Sequence, residues 1–158
     1  MLNDVSLLVV EDDPSNMQLL VFTFNMYEAK ASYAQSGLEA IAALSESHEY
    51  DIILTDIQMP RMDGYALFRE IRTRPAWSNI PIIALTANVM PNDRKLMNET
   101  GFDGFIEKPI DIEGLPDKIL EVIEHWKKTH STHPGPPPET PQAVSYPPNS
   151  SATLSSTP

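Results

Sequence analysis

The sequence has 158 residues, 41 % of them hydrophobic, with 11 Lys and Arg against 22 Asp and Glu and a formal net charge of −11. That length suits one domain whose core folds without covalent staples, and the absence of cysteine excludes disulfides, thiolate metal sites and thiol catalysis. An acidic chain with no basic stripe repels nucleic-acid phosphates, and no apolar run approaches the roughly 18 residues that span a bilayer.

Met1-Leu2-Asn3-Asp4 lacks the basic region and apolar stretch of a secretory signal. A cytoplasmic protein without nucleic-acid or membrane partners is therefore expected. Residues 5–10 are apolar but for Ser6, as suits a strand covered on both faces. Acids and Pro14 follow, then a helical stretch with Met17, Leu20, Val21 and Phe24 at i, i+3, i+4 and i+7. Residues 30–34 read as a weak strand. Ser36 caps the next helix, with Glu39 three residues on as in a capping box, and its expected buried stripe is Leu38, Ile41 and Ala42. Residues 51–55 form a central strand through Ile52-Ile53-Leu54, and a helix over about 64–73 groups Leu67, Phe68 and Ile71.

Residues 80–85 are another buried strand, with Pro81 tolerated at its start. Residues 91–100 form a mostly polar helix with a thin apolar face of Leu96 and Met97, ended by Gly101. A short fifth strand over 102–107 precedes a helix over about 113–128. Its stripe of Leu115, Ile119, Val122, Ile123 and Trp126 is the strongest amphipathic signal in the chain.

Composition then changes. Residues 129–158 hold eight prolines and eleven Ser or Thr, no Lys or Arg, and one acid, Glu139. The run Pro-Gly-Pro-Pro-Pro at 134–138 cannot build a hydrogen-bonded ladder or bury much apolar surface. The expected organisation is a folded domain over 1–128 and a flexible tail or linker over 129–158. The domain keeps all 11 bases and 21 of the 22 acids, a net charge of −10.

Five strands alternating with five helices imply an α/β fold, a five-stranded parallel sheet doubly wound as (βα)5 through right-handed crossovers. In such folds the active crevice lies outside the carboxyl ends of the strands. The first strand ends in Glu11-Asp12-Asp13, the third in Asp56, the fourth in Thr86-Ala87 and the fifth in Lys108-Pro109. Crowded carboxylates raise one another's pKa. A hard cation relieves that repulsion, and all-oxygen ligation with few protein carboxylates suits magnesium. Asp56 is suited to form an acyl phosphate, with the metal and the Lys108 ammonium neutralising the phosphoryl charge. Thr86 can donate a hydrogen bond to a phosphoryl oxygen. Each residue alone has a plainer role: Asp13 as a helix cap, Asp56 as a turn acid, Thr86 as a surface hydroxyl. Their common arrival at one edge of the sheet is what singles them out.

With those residues placed, Leu7–Pro14, Asp51–Gly64, Ile82–Ala87 and Glu107-Lys108-Pro109 together resemble the receiver domains of two-component response regulators, over about residues 5–126. The run Asp-x-x-Met-Pro-x-Met-Asp-Gly from Asp56, with an acidic pair upstream and Lys-Pro downstream, carries most of that likeness. The resemblance implies the flavodoxin-like strand order 2-1-3-4-5. It also implies Asp56 as phosphoacceptor from a sensor histidine kinase or histidine phosphotransfer protein, making the chain a signalling phosphoacceptor rather than an enzyme. Mg2+ is then held directly by Asp12 and Asp56, through water by Glu11, and by the Gln58 backbone carbonyl. Thr86 and Phe105 become the switch pair, and Lys108 the phosphate-contacting lysine, followed by a cis bond to Pro109. Gln58 and Asn88 occupy positions that tune acyl-phosphate lifetime, and a downstream protein partner is expected on the 91–128 face. Glu11 stands where some members have aspartate. Phe105 stands where others have tyrosine, so the switch lacks a phenolic hydroxyl. A metal-dependent phosphohydrolase with an aspartyl nucleophile fits less well: Gln58 stands where such enzymes want a second aspartate, and their nucleophile lies on the first strand. A receiver cut from a longer regulator or hybrid kinase fits as well as a free-standing one.

Overall fold

Apolar runs too short for helices become five parallel strands: β1 (Ser6–Val10), β2 (Lys30–Ala34), β3 (Ile52–Asp56), β4 (Ile82–Thr86) and β5 (Gly104–Glu107). A computed structural model describes residues 2–47, 49–87 and 90–130. The role expected of Asn88 and most of the segment read as a tail lie outside the described residues. The strands alternate with α1 (Pro14–Met26), α2 (Gly37–Glu46), α3 (Gly64–Arg72), α4 (Pro91–Thr100) and α5 (Leu115–His130). The sheet order is β2-β1-β3-β4-β5, all parallel, as the sequence and the resemblance led us to expect. Residues up to Glu124 form one compact unit. The described residues beyond it, 125–130, carry a stacked pair of rings, Trp126 and His130, with centroids 3.6 Å apart.

Alternation along the strands sends Leu7, Val9, Ile52 and Leu54 into one core layer with Leu20, Phe24 and Ile119. Leu8, Val10 and Ile53 enter the other layer with Leu67, Ile71 and Ile82. A sheet covered on both faces leaves no polar side to its central strands, which explains the unbroken burial of β3 and β4. Register pairs Val10 with Thr55, Asp56 with Leu85 and Thr86 with Glu107. The residues at and just beyond these pairs, Glu11, Asp56, Thr86 and Lys108, therefore emerge along one edge.

Helix starts follow their caps. Asp13 accepts from Ser15 N at 2.8 Å and Asn16 N at 3.4 Å, ahead of Pro14. Ser36 accepts from Glu39 N at 3.1 Å, but the Glu39 carboxylate accepts from Gln35 N at 2.8 Å, one residue beyond the N-cap N–H that a capping box would use. Asp63 accepts from Ala66 N at 2.8 Å to start α3.

Two expected stripes, in α2 and α4, are corrected. In α2 the buried residues are Gly37, Ala40 and Leu44, whereas Leu38 is 62 % exposed and Ala42 is exposed. The small Gly37 and Ala40 allow close approach, and a Cβ at Gly37 would lie 2.6 Å from Met62 Sδ. In α1 the inward residues are Leu20, Thr23 and Phe24, with Met17 and Val21 half-buried. Thr23 is tolerated inside because its hydroxyl donates to Leu19 O at 2.7 Å. In α4 only Met97 is buried, and Leu96 is exposed. The last helix starts at Leu115 and continues through Thr129 and His130, two residues into the segment read as a tail.

Candidate active site

The carboxyl ends of β1, β3, β4 and β5 frame a cleft of about 210 Å³ lined by Glu11, Asp12, Asp56, Gln58, Thr86 and Lys108, among others. Six of the seven described residues given a metal, phosphoryl or switch role thus share one cavity. Phe105, the seventh, lies half-buried on β5 beneath the Arg94 guanidinium, 5.1 Å from its ring centroid. The peptide between Lys108 and Pro109 is cis.

Lys108 ties the site together. Its ammonium donates to Asp56 Oδ1 at 2.8 Å and to Glu11 Oε1 at 2.9 Å. Glu11 is wholly buried, and its second oxygen accepts from Asp13 N at 3.1 Å. Both oxygens of Glu11 are thereby engaged, whereas the half-buried Asp12 carboxylate takes no hydrogen bond among the described residues. Asp56 is nearly buried at the end of its strand, and Thr86 is buried beside it. The Thr86 carbonyl accepts from Lys108 N at 2.9 Å, which joins the ends of β4 and β5.

Burial, together with the neighbouring Glu11 carboxyl, pushes the Asp56 carboxyl up from 3.8 to about 7, against the opposing pull of the Lys108 ammonium. Burial alone lowers the Lys108 pKa, but its bonds and charge contacts with Asp56 and Glu11 outweigh this, and the net shift is upward. The ammonium is held charged by the acids it neutralises.

Glu11, Asp12 and Asp56 each offer one carboxylate oxygen, and these atoms all lie within 4.8 Å of one another. Opposite ligands of an octahedral magnesium are ~4.2 Å apart, so the trio is already near the spacing such an ion imposes. The donors are all hard oxygens, with no imidazole or thiolate in the cleft lining. The residues present therefore fit a hard divalent cation.

Sequence reasoning missed Asn16, which also lines the cleft. Its position three residues into the turn capped by Asp13 was the available signal. The start of α3 contributes without lining the cleft, because Gly64 N donates to Ile57 O at 2.7 Å just behind the Asp56 peptide.

Residues 7–120 match the family model of the response regulator receiver domain. The chain is similar to the sensor histidine kinase RcsC of Escherichia coli, 32 % identical over 130 residues that cover 82 % of this chain and 13 % of that protein. The chain thus spans only a small part of the length of this relative. Among solved structures it is similar to the signal receiver domain of a signal transduction histidine kinase from Syntrophus aciditrophicus. The identity there is 33 % and the TM-score 0.70, covering 80 % of this chain and 96 % of the other. It is also similar to the receiver domain of a sensor histidine kinase from Pseudomonas aeruginosa, solved with a magnesium ion coordinated in the active site cleft. In that case the identity is 29 % and the TM-score 0.62, covering 77 % of this chain and 96 % of the other.

Proposed function

The chain belongs to the response regulator receiver domain family of two-component signalling, and from this premise we propose that it accepts a phosphoryl group on Asp56 in a Mg2+-dependent reaction. The donor is a phosphohistidine on a sensor histidine kinase or a phosphotransfer protein. The observation that carries the reading is the Asp56 carboxylate, buried at a strand end and bridged to Glu11 by the Lys108 ammonium within an open cleft.

An Asp56 carboxylate oxygen attacks phosphorus, the P–N bond to the donor imidazole breaks, and that nitrogen keeps the bonding pair. Lys108, already 2.8 Å from Asp56 Oδ1, is within reach of a phosphoryl oxygen carried by the same carboxylate. Asp12 and Asp56, with the Gln58 backbone carbonyl and Glu11 acting through water, would hold the cation. The engagement of both Glu11 oxygens supports its outer role. Bound there, Mg2+ supplies charge neutralisation at the phosphoryl oxygens. The Thr86 hydroxyl donates to the new phosphoryl group, and the side chain of Gln58 tunes how long that group persists.

Switching then runs from Thr86 to Phe105 on β5, whose register partner Ala84 lies two residues before Thr86 on β4, and biases α4, whose single buried residue is Met97. The downstream protein partner reads α4, β5 and the first turns of α5. The chain processes no substrate beyond its own phosphoryl group. The similarity to histidine kinases favours a phosphorelay as its setting, and a cytoplasmic location belongs to the same proposal.

The deciding experiment is intact mass after incubation with acetyl phosphate, with and without Mg2+, for the wild type and Asp56→Asn. The expected result is one added phosphoryl group that requires Mg2+ and is absent from the variant. An adduct that survives Asp56→Asn, or none in a wild type that also fails to bind beryllofluoride, overturns the reading.

A further inference from the structure

A second and larger cleft, about 530 Å³, lies between the segment that follows β3 and the first turns of α4. Ile57, Met59, Pro60 and Leu96 give it apolar walls, the Asp63 and Asp93 carboxylates and the Tyr65 ring complete them, and no Lys or Arg lines it. Among the described residues neither acid has an ion-pair partner. Asp63 uses one oxygen to cap α3. The cations of α4 are engaged elsewhere: Arg94 over the Phe105 ring and Lys95 at 4.0 Å from Glu99.

Both carboxylates act on one point in the cleft. The Tyr65 hydroxyl is pushed above its ordinary value first by burial, then by the charges of Asp93 and Asp63. Tyr65 itself is fixed edge-on against Phe102, with ring centroids 5.9 Å apart. At the rim, Leu96 in mid-α4 and Met90 just before that helix are exposed apolar residues. The volume is of the order that encloses a small ligand or a large side chain.

Two carboxylates with no ion-pair partner among the described residues, set over apolar walls and an aromatic ring, select a cation on an apolar stem. Guanidinium suits this better than ammonium: it is flat, weakly hydrated, stacks on aromatic rings and forks onto carboxylates. We propose that this cleft is a docking site for an arginine side chain presented by a basic segment of a protein partner. The net charge of −11 steers such a segment toward the chain, and the exposed Leu96 and Met90 receive the apolar residues that flank the arginine. Ile57, Gln58 and Thr86 line both clefts, so the docked residue borders the Asp56 site. The proposal goes beyond the phosphoacceptor reading and does not require it.

The test is an NMR titration of the full chain with a capped Ala-Leu-Arg-Leu-Ala peptide, compared with the same peptide carrying citrulline, the neutral isostere, in place of arginine. The expected shifts are concentrated at 57–60, Tyr65 and 93–96, and the citrulline peptide binds at least severalfold more weakly. The double variant Asp63→Asn, Asp93→Asn keeps the helix cap, because Asn caps as well as Asp, and should weaken binding by about twofold to thirtyfold, the range of two partly exposed ion pairs. Asp117→Asn, an exposed acid on α5, should leave binding unchanged. Equal binding of the citrulline peptide, shifts spread over all surface acids, insensitivity to the double variant, or no binding would each overturn the proposal. Asp56→Asn should bind the peptide normally, so loss of phosphorylation and loss of docking are separable outcomes.

Discussion

Gly64 is packed against the backbone of Asp56: a Cβ there would lie 2.5 Å from the Asp56 carbonyl oxygen and 2.8 Å from Ile57 Cα. The first residue of α3 and the last of β3 meet backbone to backbone, so no flexible side chain can yield. Gly64→Ala is expected to cost about 1–3 kcal/mol in a urea denaturation series, as overpacking does. It should also slow phosphorylation by acetyl phosphate through displacement of Asp56. Gly37→Ala is the contrast, because its Cβ would meet only the side chain of Met62, whose unbranched stem can change rotamer. It is expected to cost under about 1 kcal/mol, offset by the gain in helix propensity. Equal costs at the two glycines would show that the Gly64 contact relaxes freely.

Lys108 neutralises two acids that have little access to water. Lys108→Met is expected to destabilise by about 1–3 kcal/mol. That is less than a fully broken buried pair costs, because the raised pKa of Asp56 lets it take up a proton instead. Phosphorylation should fall by a factor on the order of 10², the loss typical of removing one donor to developing charge. Mg2+ affinity should rise or hold, since a competing cation has gone. A variant with wild-type phosphorylation kinetics would reduce Lys108 to a structural counterion.

The order of elements and the chemistry at the strand ends were legible because each depends on local pattern. Apolar runs mark buried strands, and an acid, a hydroxyl or a lysine at the end of such a run is delivered to one edge by a parallel sheet. What the sequence did not disclose depends on contacts between distant segments. Arg72 donates to Ile80 O at 2.8 Å and pairs with Asp103 at 3.1 Å, and Asp103 also accepts from Ile82 N at 2.8 Å. No spacing along the chain announces that link between α3, the entry to β4 and the loop before β5. Likewise the paired role of Glu11 and Asp56 on one ammonium, and the cleft under Tyr65, exist only once the sheet has assembled.

The roll of α2 shows why a stripe can mislead. The sequence offers Leu38 as the larger apolar residue, yet packing chose Gly37, Ala40 and Leu44, with the first residue of α2 set against the Met62 side chain. Leu38→Gln is therefore expected to change stability by no more than about 0.5 kcal/mol. Leu44→Ala should cost about 2–4 kcal/mol, as expected for a wholly buried leucine. Thermal or urea denaturation of the two variants checks the register. A large loss at Leu38 would return the helix to the orientation read from its sequence.

The proton on Asp56 gives the site a pH dependence whose sign is fixed. Its folded-state pKa of about 7 stands above the ordinary carboxylate value, raised by burial and by Glu11. The proton is thus bound more tightly in the folded chain than in the unfolded one. The stability this confers is fully present below about pH 4 and is lost as pH rises to about 7. Asn at position 56 does not titrate. The stability of Asp56→Asn relative to wild type should therefore grow between pH 4 and 7 and level off above. Mg2+ competes with that proton, so its affinity should increase as pH passes through about 7, and added Mg2+ should stabilise the wild type more at pH 8 than at pH 6. Urea denaturation of both proteins from pH 4 to 8, with and without Mg2+, measures all of this. A wild-type-to-variant difference that is flat from pH 5 to 8 would mean that Asp56 ionises in the ordinary range and that Lys108 outweighs burial.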